Sequence, residues 1–146
     1  MTAIKQQWSD GAGPNYSGLF FGDNTYRTAL LNREEQTLEI GNIAAIPLEM
    51  DFSDYGDYES GRLKCNAGVL RWGGGPWEAE GWIALEDYES NLIWLLHLED
   101  SEAFTQARCE GLIIEAVAYQ YPVMNVFSIP AKDPHLAAVG QEADVT

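Results

Sequence analysis

Apolar residues in this chain come in short runs broken at regular intervals, and that punctuation constrains the fold more than any other feature. Runs rich in Ile, Val, Leu, Thr and aromatic residues are separated by clusters of Gly, Pro, Asn and Asp. This is the spacing of β-strands joined by turns, as in a sandwich or meander. Candidate strands cover Tyr16–Phe21, Thr25–Leu31, Thr37–Ile43, Pro47–Phe52, Arg62–Trp72, Trp77–Glu86, Leu92–Leu98, Leu112–Tyr121 and Val123–Ile129. Turns fall at Gly22-Asp23-Asn24, Asn32–Gln36, Ser53–Ser60, Gly73–Pro76 and Asp87–Asn91. The expectation is a mainly β fold, an antiparallel sandwich or curved meander of about 8–9 strands with at most one short helix. Asp100–Cys109 reads either as that helix, capped by Asp100, or as a turn followed by a strand. Residues 1–130 read as a single β-rich domain. From 131 to 146 the composition shifts to Ala, Gly, Asp and Glu without periodicity, so a loosely ordered tail is expected there.

One hairpin allows a register prediction. On Arg62–Trp72 the odd positions Leu63, Cys65, Ala67 and Val69 are apolar; on Trp77–Glu86, Ala79, Ile83 and Leu85 share a face. A three-residue loop, Gly74-Gly75-Pro76, places Cys65 opposite Leu85 and Lys64 opposite Glu86, matching apolar with apolar and charge with opposite charge.

Charge narrows the classes of partner. The 146 residues carry 23 acids against 8 bases, a net charge of −15. Such a field repels nucleic-acid phosphates and anionic lipid surfaces and attracts basic proteins. No apolar run approaches the ~20 residues that span a bilayer. Neither nucleic acid nor membrane is expected as a partner. With 46% hydrophobic residues, a core forms without help from disulfides or metals. Cys65 and Cys109 each fall among apolar residues and form no C-x-x-C pair; buried free thiols are the favoured reading, a single disulfide the alternative. The first residues lack the apolar segment of a secretory signal, so a cytoplasmic location is expected.

Signatures of catalysis are missing from the sequence. It contains no G-x-S-x-G elbow, phosphate-binding loop, dinucleotide fingerprint or H-E-x-x-H pair. His97 lies in an apolar strand and reads as a structural histidine; His135 follows Pro134 and reads as a surface residue. A nucleophilic pair of His97 with Cys65 or Cys109 is a weaker reading. Glu78 and Glu80, flanked by Trp77 and Trp82, offer a carboxylate pair of glycosidase type, against the simpler view that the tryptophans fill the core. Aligned as an EF-hand loop, Asp51–Arg62 puts Tyr55 at the fifth position and Arg62 at the twelfth, where a bidentate Glu is required. Accordingly no catalytic residue, metal or cofactor is assigned.

The distribution of charge is more informative. Between Arg33 and Arg62 no base interrupts Glu34, Glu35, Glu39, Glu49, Asp51, Asp54, Asp57 and Glu59; between Arg71 and Arg108 none interrupts Glu78, Glu80, Glu86, Asp87, Glu89, Glu99, Asp100 and Glu102. Soluble surfaces ordinarily mix signs because neighbouring like charges repel. Phe52, Tyr55 and Tyr58 are interleaved with the acids of Glu49–Glu59, which reads either as aromatic anchors inside the charged rim of an interaction hot spot or as a solvated acidic loop with Tyr55 and Tyr58 folded back onto the sheet. Carboxylates spaced at ~6–7 Å along a strand also approximate the phosphate spacing of a nucleic-acid strand, as a nuclease inhibitor would. The expected partner-binding residues are Glu49, Asp51, Asp54, Tyr55, Asp57, Tyr58, Glu59, Glu78, Glu80, Glu86, Asp87 and Glu89. In size, acidity and lack of signal or catalytic motif, the chain resembles the small acidic immunity proteins that neutralise secreted bacterial toxins. The resemblance implies a binding protein that occludes a basic toxin or nuclease-like effector. The competing readings are a carbohydrate- or small-ligand-binding β-domain using Trp77 or Trp82, and a structural subunit of a larger assembly.

Overall fold

Turn residues divide the chain into more strands than the apolar runs suggest. The computed structural model describes residues 2–75, 80–120 and 123–143. One helix, α1 (Ala3–Ser9), is followed by β1 (Ala12–Pro14), β2 (Gly18–Phe21), β3 (Thr25–Asn32), β4 (Thr37–Ala45) and β5 (Phe52–Asp54). Then come β6 (Glu59–Cys65), β7 (Gly68–Gly74), β8 (Gly81–Glu86) and β9 (Leu92–Leu98). The last strands are β10 (Phe104–Glu110), β11 (Ile113–Gln120), β12 (Val123–Pro130) and β13 (Ala138–Ala143). Seven strands form an antiparallel sheet in the order β4-β3-β2-β9-β8-β7-β6, four form a second in the order β10-β11-β12-β13, and β1 pairs with β5.

Alternation along the central strands builds two cores, because successive side chains of a strand point to opposite faces. Ile83 and Leu85 of β8 pack with Leu19, Leu70, Trp72, Trp94 and Leu96 against Phe104, Ile114, Phe127 and Ile129 of the four-stranded sheet. Trp82 and Ala84 face the other way, into a second core with Ile4 and Trp8 of α1, Phe20, Ile46, Tyr55 and Leu95. β8 is therefore buried along its whole length. The mainly β sandwich expected from the sequence forms, with α1 and the β1–β5 ribbon as an additional layer. In α1 the Thr2 hydroxyl accepts from the Lys5 N–H at 3.4 Å, and Ile4 and Trp8, one turn apart, form the buried stripe.

Several expectations are corrected. Arg62–Trp72 is two strands, β6 and β7, joined at Asn66-Ala67, with Cys65 facing Gly68 and Lys64 facing Val69. Gly68 adopts φ 145°, and a Cβ there would run into the Glu86 carbonyl. Consequently Leu85 faces Leu70 and Glu86 faces Val69, so the predicted Cys65–Leu85 and Lys64–Glu86 pairs do not form. Of the two readings of Asp100–Cys109, the turn followed by a strand is the one that forms, with β10 starting at Phe104. Pro47–Phe52 enters a strand only at Phe52. Residues 131–143 are not a loose tail: after a 3₁₀ turn at Pro134–Leu136, β13 pairs with β12 from Ser128–Ala138 to Val123–Ala143. The Trp94 indole N–H also donates to the Ala131 carbonyl at 2.9 Å. Cys65 and Cys109 form a disulfide with Cα atoms 6.3 Å apart, in place of the expected free thiols. β10 packs over β6 and β7, so the bond joins the margins of the two sheets. No helix among the described residues is long and apolar enough to cross a membrane.

Candidate functional site

The segment that carries the densest run of acids folds with its apolar residues inward. Met50 and Phe52 pack against the second core, and Tyr55 is buried within it. Glu49, Asp51, Asp54 and Asp57, set between them, are exposed. Backbone hydrogen bonds fix this arrangement: Asn15 N–H donates to the Asp51 carbonyl at 2.9 Å, and the Tyr55 and Gly56 N–H groups donate to the Gly11 carbonyl at 2.8 and 3.0 Å. Exposed Asp10 precedes that Gly11 in the chain and accepts from the Gln6 amide at 3.4 Å. Before the acids stands Leu48, 99% exposed, and after them exposed Tyr58.

Like charges crowd at the end of this segment. The Asp54 carboxylate, by its hydrogen bond first and its negative charge second, holds the Asp57 carboxyl above its ordinary value. Ion pairs among the described residues join Arg33 to Glu102, Arg62 and Arg71 to Glu59, Arg71 to Glu86, and Arg108 to Glu115. None reaches Glu49, Asp51, Asp54 or Asp57. Along the chain the segment thus carries four exposed carboxylates outside the ion pairs of the described residues, preceded by exposed Leu48 and followed by exposed Tyr58.

The remaining predicted residues are distributed differently. Tyr55 is no surface anchor: it is 4% exposed, lies 5.1 Å from the Trp82 ring, and donates its hydroxyl to the Pro14 carbonyl at 2.7 Å. Burial, and secondarily the charge of Glu80, raises its hydroxyl well above the ordinary tyrosine value, so it remains a donor. Glu59 and Glu86 are also drawn into the fold, half-buried and buried respectively. Arg71 bonds both, through Nε to Glu59 and through Nη1 to Glu86 at 2.8 Å, and the Trp8 indole N–H donates to Glu86 at 2.6 Å. The physical reason is desolvation: a carboxylate drawn under the covering layer needs a cation beside it.

The second acidic stretch does not stay together. Glu80 precedes Gly81, which pairs with Gly74 at the end of β7 that touches Tyr58. Asp87 and Glu89 lie at the other end of β8, about 20 Å away at the rise of a strand. Asp87 organises the turn there, accepting from the N–H groups of Glu89 and Asn91, both at 2.9 Å; the Asn91 bond above all holds its carboxyl below the ordinary value. Glu78, with Trp77, lies outside the described residues. The sequence reading missed Leu48, where a turn forms after Pro47.

Other chemistry finds little footing. Trp8, Trp72, Trp82 and Trp94 are buried and offer no stacking platform for a sugar. His97 is buried, with Nδ1 3.0 Å from the Pro14 carbonyl; burial lowers its pKa, against smaller opposing contributions from the backbone of Pro14 and Tyr16. The disulfide takes up both candidate nucleophilic sulfurs. Among the described residues no group of His, Cys, Asp and Glu could hold a metal ion. Comparison with protein families, curated proteins and solved structures finds no match to the chain.

Proposed function

We propose that this is an acidic binding protein that occludes a basic partner, of the kind an immunity protein presents to a toxin or nuclease-like effector. The observation that carries the reading is the outward row Glu49, Asp51, Asp54 and Asp57 between exposed Leu48 and Tyr58, without an internal cation in a chain that neutralises Glu59 and Glu86 internally. Carboxylates of the row pair with Lys and Arg of the partner and speed encounter, while Leu48 and Tyr58 exclude water around the pairs. The interface is narrower than the sequence suggested, centred on residues 48–58 with Glu80 at its end. The Cys65–Cys109 bond favours action in an oxidising compartment over the cytoplasm, where thiols are kept reduced.

The test is capture from the native host's proteins at low salt, followed by assay of the captured protein's activity. Wild-type protein is expected to retain a basic protein, suppress its activity, and associate more slowly as salt rises. Asp54→Lys with Asp57→Lys is expected to weaken binding at least about tenfold, beyond the ~0–1 kcal/mol of an ordinary exposed ion pair. Retention unaffected by the double reversal, or an association rate indifferent to salt, refutes the reading.

A further inference from the structure

Away from this row, the outward face of the β3–β4 hairpin is only partly covered. β2 pairs with β3 from Thr28 to Tyr26, whereas β3 and β4 continue paired to Asn32–Thr37. Past Gly18 the inward side chains Ala29 and Leu31 are buried while Leu30 is left exposed, and a cleft of about 730 Å³ is lined by Tyr16, Thr28, Leu30, Glu39, Gly41 and Glu99 among others. Leu30 and Glu39 are directly opposed in the ladder and so share a face. Leu30 is 59% and Tyr16 46% exposed, apolar surface that neither core uses. The Tyr16 ring is held edge-on at 6.4 Å by Tyr26, itself stacked on Phe20 at 5.5 Å. Gly41 keeps the floor open, since a Cβ there would collide with the Thr28 hydroxyl. Exposed Glu39 and Glu99 belong to no ion pair among the described residues; Arg27, the cation bonded to this strand, donates Nη1 to the Gly41 carbonyl at 3.0 Å.

We propose that this cleft receives an arginine side chain of a basic protein. The guanidinium sits by Glu39 and Glu99, its planar head stacks on Tyr16, and its methylene stem covers Leu30. Charge complementarity selects the occupant: two carboxylates beside an apolar wall in a chain of net charge −15 attract a cation and repel a second copy. Arginine fits better than lysine because its head is planar, weakly hydrated and able to stack while bonding carboxylates. None of residues 48–58 lines the cleft, so this site and the carboxylate row stand or fall separately.

The test is a magnetic-resonance titration of the whole chain at low salt with acetyl-Gly-Arg-Gly-amide, its citrulline analogue and its lysine analogue. The arginine peptide is expected to shift Tyr16, Leu30 and Glu99 resonances and to bind about tenfold tighter than the uncharged citrulline isostere. Glu39→Gln and Glu99→Gln, both surface changes, are each expected to weaken it several-fold. Asp54→Lys with Asp57→Lys is expected to leave the pattern of shifts in place. Equal binding of citrulline or lysine overturns the proposal. So do shifts confined to residues 48–58, or concentration-dependent self-association that covers Tyr16 and Leu30.

Discussion

Replacing Arg71 with Met tests how far the ion pairs of Glu59 and Glu86 hold the fold together. Arg71 Nη1 lies 2.8 Å from Glu86 Oε2, with side chains 16% and 5% exposed, and its guanidinium carbon stands 4.9 Å from the Trp8 ring centroid. Methionine keeps the apolar stem but leaves the Glu86 carboxylate with the Trp8 indole as its side-chain donor among the described residues. Glu59 fares better, because Arg62 remains 2.9 Å away. Removing one partner of a buried pair costs about 3–5 kcal/mol, since the other charge stays desolvated. That is a large part of the ~5–15 kcal/mol that holds a domain together. With a urea slope of about 2 kcal/mol per molar, the unfolding midpoint should fall by about 2 M. Arg108→Met is the control: its pair with Glu115 is 68% and 42% exposed, and at most about 1 kcal/mol is expected. Adding Glu86→Gln to Arg71→Met removes the stranded charge, keeps an acceptor for Trp8, and should recover most of the loss. If Arg71→Met costs no more than Arg108→Met, the network does not do what its burial implies, and Glu86 returns as a candidate for partner contact.

Two further outcomes follow from buried groups. Reducing the Cys65–Cys109 bond, which closes a separation of 44 residues, should lower stability by about 4 kcal/mol on the loop-entropy account. An unchanged urea midpoint in reductant, or alkylation of both cysteines without it, contradicts the pairing. His97, whose pKa is lowered by burial, stays neutral in the fold while the unfolded chain takes up a proton below about pH 6.5. Stability should therefore fall as pH drops from that value toward the native pKa, by at most about 1.4 kcal/mol per pH unit, and level off above it. His97→Gln should flatten that slope; a slope that persists assigns it to other groups.

Most strands could be read from the chain because their side chains meet one environment on each face. β3 and β9 begin or end within a residue of their predicted bounds. The Arg62–Trp72 run misled because its alternation continues through a turn. Across a two-residue hairpin loop, odd positions of one strand share a face with even positions of the next, so Leu63 opposes Leu70. Leu70 and Trp72 are the residues β7 gives to the core, on the parity that a single-strand reading assigns to solvent. β13 was illegible for a different reason: as an edge strand its exposed positions impose no pattern, and among residues 138–142 only Val139 packs inward. Of the site, the acidic segment and its exposed acids were legible. The fate of Tyr55, Glu59 and Glu86 was not, because burial of each depends on α1 and the β1–β5 ribbon closing over β8, contacts remote in sequence.

The fold itself explains where neutralisation was required and where it was not. Glu86 sits beneath Trp8, where water cannot solvate it, and there the chain supplies Arg71; Glu59, at the margin, receives both Arg71 and Arg62. Folding makes no such demand at Asp54 and Asp57, which water solvates; the Asp57 carboxyl is raised first by its hydrogen bond with Asp54 and second by the negative charge of that neighbour. Repulsion of that kind opposes the compact state and is relieved by dispersing the charges or interleaving a lysine. Neither happens between Arg33 and Arg62. Apart from the Asp57 N–H that Asp54 accepts at 3.4 Å, no ion pair among the described residues makes these carboxylates part of the fold, and the proposed basic partner would supply the missing cations.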